Sequence, residues 1–230
     1  MFPVTLFDYN GVLVDDEHVH LAAFREVLAP LSIEISDAEY FERYIGFDDA
    51  GCFRCVLADR GHPADAAAIA ALIEAKRPLY LERARRELKA FSGAAELVRR
   101  RAAVGPVGVV SGALYDEILM GLDVLGVRDC VKVIVAAEHM SLPKPDPAGY
   151  LAALAAIEEM SGPEAVRRAL VIEDSVAGIA AAKAAKLACL GVAHSHPKPE
   201  LERAGADLVV DRIIDVDDAR LEALYKRLHG

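Results

Sequence analysis

One apolar strand at the start of this chain stands far from every other strand-forming segment, and that separation limits the folds open to it. Residues 3–8 (PVTLFD) read as a β-strand, yet nothing strand-like follows until about residue 91. The interval holds HLAAFREVLAPL, DAEYFERYIG and DAAAIAALIEAKRPLYLERARREL, with apolar residues at three- and four-residue spacing and charges between, the pattern of amphipathic helices. Asp37 and Asp65 are the expected N-caps, and Gly61-His62-Pro63 breaks one helix before the next. Beyond 91, short β-rich runs (GPVGVVS, VKVIVAAE, RALVIED, LACLGVA, ADLVVD) alternate with helical segments, which argues for βαβ units and a parallel sheet. A lone strand has no partner, so the first strand belongs to that same sheet. The fold class is therefore α/β: a Rossmann-like parallel sheet core from residues 1–15 and 91–230, with an all-helical domain inserted at 16–90. Hinges fall near Val14 to Glu17 and Lys89 to Gly93, and the terminal RLHG is expected to fray.

The 230 residues carry a formal net charge of −10, with arginines dispersed among acids as in ERARRELK. That excludes the clustered basic face a nucleic-acid partner needs. No apolar run reaches the roughly 18 to 20 residues that span a bilayer, and Asp8 interrupts any secretory-type segment at the N-terminus. The expectation is a cytoplasmic protein, with nothing demanding more than a monomer. Cys52 and Cys55 have the spacing of a metal knuckle, but no second such pair follows, and helical spacing turns both thiols to one face for apolar packing.

Chemistry concentrates where the strands end. The first strand runs into Asp8, and the turn Asp8-Tyr9-Asn10-Gly11 exposes a carboxylate where open α/β sheets bind ligands. A carboxylate so placed can attack phosphorus and form an aspartyl-phosphate. VGVVS ends in Ser111-Gly112, offering a hydroxyl and backbone N–H groups to an anion, unless Ser111 is only a helix cap. Lys144 sits in SLPKPDP, where flanking prolines hold the backbone extended and the ammonium in place; the alternative is a solvated loop lysine. ALVIED ends in Glu173 and Asp174, a pair that is costly at the end of a buried strand unless solvated, paired or holding a cation. A phosphate dianion beside three ionised carboxylates carries about −5 against +1 from Lys144; a divalent cation such as Mg2+, which prefers oxygen ligands, leaves about −2, part of which oriented N–H groups can stabilise.

FDYNGVLVDDE, VVSGA, the KPDP loop and VIEDSVAGIAAAKAA, in that order and with AGADLVVD near the end, make the chain resemble the haloacid dehalogenase-like hydrolase superfamily over nearly its whole length. The likeness is to the helical-cap branch of phosphoglycolate phosphatase-like and β-phosphoglucomutase-like proteins. It implies a cap domain at 16–90, Asp8 as nucleophile, and Ser111 and Lys144 holding the transferring phosphoryl group. Asp8, the main-chain carbonyl of Asn10, and Asp174 would hold magnesium, with Glu173 as a ligand or as support for one. Gly11 and Gly112 would line the substrate. His20 matches a cap-hinge position or is a solvent-facing helix residue. Asp49 lies in the cap loop YIGFDDAGCF that reaches substrate in relatives, and Lys76 and Arg77 are available to an anionic group.

The departure is Asn10. The branch carries an acid at this position to shuttle the proton, and an amide cannot do so at neutral pH. The expected function is a magnesium-dependent phosphatase acting on a small phosphorylated metabolite, slowed by Asn10. Alternatives are a phosphate-ester binding or regulatory protein without turnover, an Asn10 introduced to trap a substrate complex, and a sugar phosphomutase, disfavoured by Asp49 in place of a basic residue. A 2-haloacid dehalogenase is disfavoured by the retained Glu173-Asp174 pair.

Overall fold

A computed structural model describes residues 1–230. Its chain divides into two compact units, Met1–Asp15 with Ala90–Gly230, and Asp16–Lys89. The strands of the first unit are β1 (Val4–Phe7), β4 (Val107–Val110), β5 (Val131–Val135), β6 (Ala169–Glu173), β7 (Ala188–Val192) and β8 (Leu208–Val210); β2 (Val14–Asp15) and β3 (Lys89–Ala90) form a separate two-stranded sheet where the chain crosses between units. The six-stranded sheet has the order β5-β4-β1-β6-β7-β8, and every neighbouring pair is parallel. Strand β1 thus lies between β4 and β6, with Phe7 level with both Val109 and Ile172.

The strands form because their residues are apolar on both faces, as a sheet covered on each side requires. All four residues of β1, all four of β4 and all five of β6 are buried. Val4, Leu6, Val171 and Cys189 pack with Tyr150, Ile157 and Ile179 from the flanking helices Ala148–Ser161 and Val176–Ala184. Each fully buried aliphatic side chain of this kind contributes about 1.5–3 kcal/mol relative to exposure. The chain order turns back at β1, with β4 on one side and β6 on the other. That creates the crevice at the C-terminal strand ends where doubly wound sheets bind ligands.

The second unit is helical, with the long helices Glu17–Leu28, Asp49–Asp59 and Ala66–Glu87 around a core of Leu21, Phe24, Tyr40, Phe53, Val56 and Ile69. Cys52 packs in this core, and Cys55 lies against it. Asp65 caps its helix by accepting from the Ala68 N–H, as expected. Asp37 does not: the cap there is Ser36, whose hydroxyl accepts from the Glu39 N–H. The C-terminal helix also departs from expectation. It runs on to His229, whose ring packs against Phe2 and Tyr225, so Arg227, Leu228 and His229 are helical rather than a frayed end. No helix is long and apolar enough to cross a membrane.

Candidate active site

Three carboxylates meet at the crevice. Ligand oxygens of Asp8, Glu173 and Asp174 all lie within 4.8 Å of one another, and all three residues are buried. Asp8 follows β1, and its N–H donates to the Ile172 carbonyl, which ties it to the edge of β6. Lys144 stands between two of the acids, with Nζ 2.9 Å from Asp8 Oδ1 and 2.6 Å from Glu173 Oε1; it also donates to the Val110 carbonyl at 3.1 Å. The prolines at 143 and 145 keep this segment out of helix and so leave the ammonium aimed at the strand ends.

Five donors converge on Glu173. Oε1 accepts from Lys144 and from the Tyr150 hydroxyl at 2.8 Å; Oε2 accepts from the Asp174 and Ser175 N–H groups at 3.1 Å each and from Ser175 Oγ at 3.0 Å. Both oxygens are therefore committed to protein donors, and Glu173 serves as the anchor that positions Lys144 and the 174–175 turn. The nearest approach of the following helix confirms how full this space is: a Cβ on Gly178 would fall 1.7 Å from Glu173 Oε1.

The electrostatics follow from burial and charge count. Burial pushes the Asp8 carboxyl up from 3.8 to about 6; Lys144 opposes the rise and Glu173 adds to it. Burial also drives Asp174 well above the ordinary carboxylate range, reinforced by the charges of Glu173 and Asp8. For Glu173, burial alone would raise the pKa, but Lys144 and its hydrogen bonds outweigh it and hold the carboxyl low. Burial likewise disfavours charged Lys144, yet Asp8 and Glu173 together keep it protonated. One ammonium balances one carboxylate, so two buried acids remain short of positive charge. An all-oxygen donor set with that deficit fits a hard divalent cation.

The turn after Asp8 is tight. Leu13 and Val14 N–H groups donate to the Tyr9 carbonyl, and Gly11 N–H donates to Val14 O at 2.9 Å. Ser111 Oγ donates to Asn10 Oδ1 at 3.1 Å and accepts from Ala113 N–H at 3.2 Å, which both fixes the amide and begins the turn into helix Tyr115–Val124. Gly112 follows in that turn. Gly11 has φ +73°, and a Cβ there would lie 1.9 Å from Asp174 Oδ2. Gly11→Ala is therefore expected to cost at least about 1–2 kcal/mol from the left-handed backbone alone and to displace Asp174. Urea unfolding of parent and variant checks it: the variant should be less stable.

The remaining sequence-predicted residues lie in the helical unit. Lys76 is fully buried; its Nζ is 2.8 Å from His20 Nδ1 and 2.5 Å from Asp49 Oδ1, over the faces of Phe24 and Tyr80. His20 is buried rather than solvent-facing, stacked on Tyr80 with Nε2 3.3 Å from Asp16. Arg77 reaches Glu74 at 3.9 Å. Three neighbours of the acid cluster escaped the sequence reading: Tyr150, Ser195 and His194. A tyrosine six residues past Lys144 and a His-Ser-His run at the end of β7 were the available signals.

A parallel sheet with a buried aspartate at the end of its first strand, a helical unit inserted after that strand, and a hydroxyl, an ammonium and an acid pair near other strand ends defines a doubly wound α/β core with a helical insertion. A family profile described as Haloacid dehalogenase-like hydrolase matches residues 5–192, and the chain belongs to that family. Among curated relatives, a validoxylamine A 7'-phosphate phosphatase from Streptomyces hygroscopicus subsp. limoneus is 28% identical over 94% of this chain and 96% of its own length. A phosphoglycolate phosphatase from Caulobacter vibrioides is 27% identical, covering 95% of this chain and 90% of its own. Among solved structures, a D10N mutant of CbbY from Rhodobacter sphaeroides in complex with xylulose-(1,5)bisphosphate superposes with a TM-score of 0.79 at 27% identity, over 94% of this chain and 96% of that one.

Proposed function

We propose that this protein is a magnesium-dependent phosphatase acting on a small phosphorylated metabolite through an aspartyl-phosphate on Asp8. The observation that carries the proposal is Asp8 at the end of β1, buried, held by Lys144 and grouped with Asp174 and Glu173. The names of the curated relatives support a phosphate-ester substrate, and the bisphosphate complex of CbbY supports a sugar phosphate as its class.

The Asp8 carboxylate attacks phosphorus, and the bond to the leaving oxygen breaks. Water then attacks the phosphorus, releasing inorganic phosphate and regenerating Asp8. Lys144 and Ser111 stabilise negative charge on the transferring group. Asp8, Asp174 and the main-chain carbonyl of Asn10 would hold magnesium, with Glu173 bracing them; the ion supplies charge neutralisation and orients the phosphoryl oxygens. Asn10 can neither give a proton to the leaving oxygen nor take one from water. Leaving groups that depart without a proton are therefore favoured.

Steady-state hydrolysis of para-nitrophenyl phosphate, with magnesium and with EDTA, tests the reading. Magnesium-dependent turnover exceeding that of an alkyl phosphate is expected; equal or faster turnover of the alkyl ester would show that another acid serves the site. Asn10 favours one second reading, a protein that binds phosphate esters without turning them over. Magnesium-dependent binding with negligible hydrolysis of either ester would support that instead.

A further inference from the structure

The loop after β7 reaches the acid cluster, although nothing in the proposed chemistry uses it. Ser195 Oγ donates to Asp174 Oδ2. The Asn10–Gly11 turn lies against the same oxygen beside the hydroxyl, since a Cβ on Gly11 would fall 1.9 Å from Asp174 Oδ2 and 2.9 Å from Ser195 Oγ. One carboxylate oxygen is thus covered by a hydroxyl and a backbone turn, which leaves Oδ1 for a cation.

The neighbouring histidine fixes this loop against the turn. Ile213 N–H donates to His194 Nε2 at 3.4 Å, so Nδ1 carries the ring proton and donates it to the Gly11 carbonyl at 2.8 Å. Phe91 stacks on the imidazole at 3.9 Å between centroids and 20° between planes. His194 therefore bonds the glycine whose own Cα approaches Asp174, and Ser195 bonds Asp174 directly. The two contacts hold the acid and the turn in one arrangement.

From this we infer that Ser195 is a positioning residue that sets the metal preference of the site, by restricting Asp174 to single-oxygen ligation. Magnesium takes near-octahedral geometry with one oxygen from each carboxylate, whereas calcium accepts bidentate carboxylates and higher coordination numbers. A hydroxyl that occupies Oδ2 suits the first ion and withholds from the second its preferred mode. Groups that orient metal ligands in this way typically change affinity by about 10- to 100-fold when removed. The inference rests on the magnesium site proposed above, but not on catalysis by it.

The test is calorimetric titration of the substrate-free protein with magnesium and, separately, with calcium, for the parent, Ser195→Ala and Ser195→Thr. Ser195→Ala is expected to weaken magnesium about 10-fold or more and to weaken calcium much less, so that the ratio of the two affinities falls. Ser195→Thr keeps the hydroxyl and should keep the parent's ratio. An unchanged ratio in Ser195→Ala would overturn the inference, as would an equal loss in Ser195→Thr, because packing and not the hydroxyl would then be at work. Parent protein that binds neither ion would overturn it together with the magnesium site. Turnover of para-nitrophenyl phosphate, assayed separately, distinguishes failure of the phosphatase reading: a parent that binds magnesium with the expected Ser195 dependence yet hydrolyses nothing leaves this inference standing.

Discussion

Asn10→Asp is expected to raise turnover of an alkyl phosphate by about 10²- to 10⁴-fold, the usual contribution of a positioned acid/base, equivalent to about 3 to 5 kcal/mol of barrier. The structure favours a gain without rearrangement. Ser111 Oγ already donates to Asn10 Oδ1, and a carboxylate oxygen accepts the same bond. The backbone of the turn is fixed by Gly11 and Val14 and does not depend on the side chain at position 10. The gain should be smaller for para-nitrophenyl phosphate, because its leaving group departs without a proton. Comparing kcat/KM of parent and variant on both esters checks this. No increase on the alkyl ester would mean that position 10 handles no proton in this protein.

Lys144→Met is expected to abolish turnover and to destabilise the fold by about 3–5 kcal/mol at neutral pH, the range for breaking a buried ion pair from one side. The sign of its pH dependence follows from the directions of the shifts. Lys144 is raised above its ordinary 10.5, so its contribution is fully present below that value. Glu173 is held below its ordinary 4.5, so its contribution is present above that value and lost as pH falls through it. The pair is intact between those limits. Without the ammonium, Glu173 and Asp8 face burial alone and take up protons. Neutral carboxyls are cheap to bury, so the deficit of the variant should be largest near pH 8 and shrink toward pH 5. Urea unfolding of parent and variant at both pH values measures it. A pH-independent deficit would show that lost packing, not charge, is responsible.

Strand ends were legible in this sequence, and what approaches them from elsewhere was not. Asp8, Ser111, Glu173 and Asp174 each interrupt an apolar run at the place where an α/β sheet opens to ligands, and Lys144 is marked by its prolines. Ser195 carries no comparable mark. Its position beside Asp174 depends on how β7 registers against β6, with Gly191 level with Glu173, and register is invisible in a run of alternating small and apolar residues. Tyr150 reads as one more helix residue until the helix packs on β6 and its hydroxyl meets Glu173. Lys76 is a different case, since the sequence offers it only as a cation available to an anionic group. Here two aromatic faces, His20 and Asp49 enclose it. The N-cap at Ser36 shows a smaller limit: adjacent residues of equal capping preference differ only by one residue of backbone phase.

The placement of β1 in the sheet also governs when the protein comes into being. Strand β1 leaves the ribosome before either of its partners, β4 and β6, and its pairings with them reach as far as Ile172. Every contact that turns Asp8 into part of a site spans at least the inserted helical unit, and those with Lys144 and Glu173 span more than half the chain. Such distant pairings close late, because the loop entropy must be overcome before the contacts form. An unfinished chain therefore carries Asp8 without the Lys144, Glu173 and Asp174 that surround it in the folded protein. The magnesium binding proposed for this cluster should accordingly follow closure of the whole sheet during refolding and never precede it.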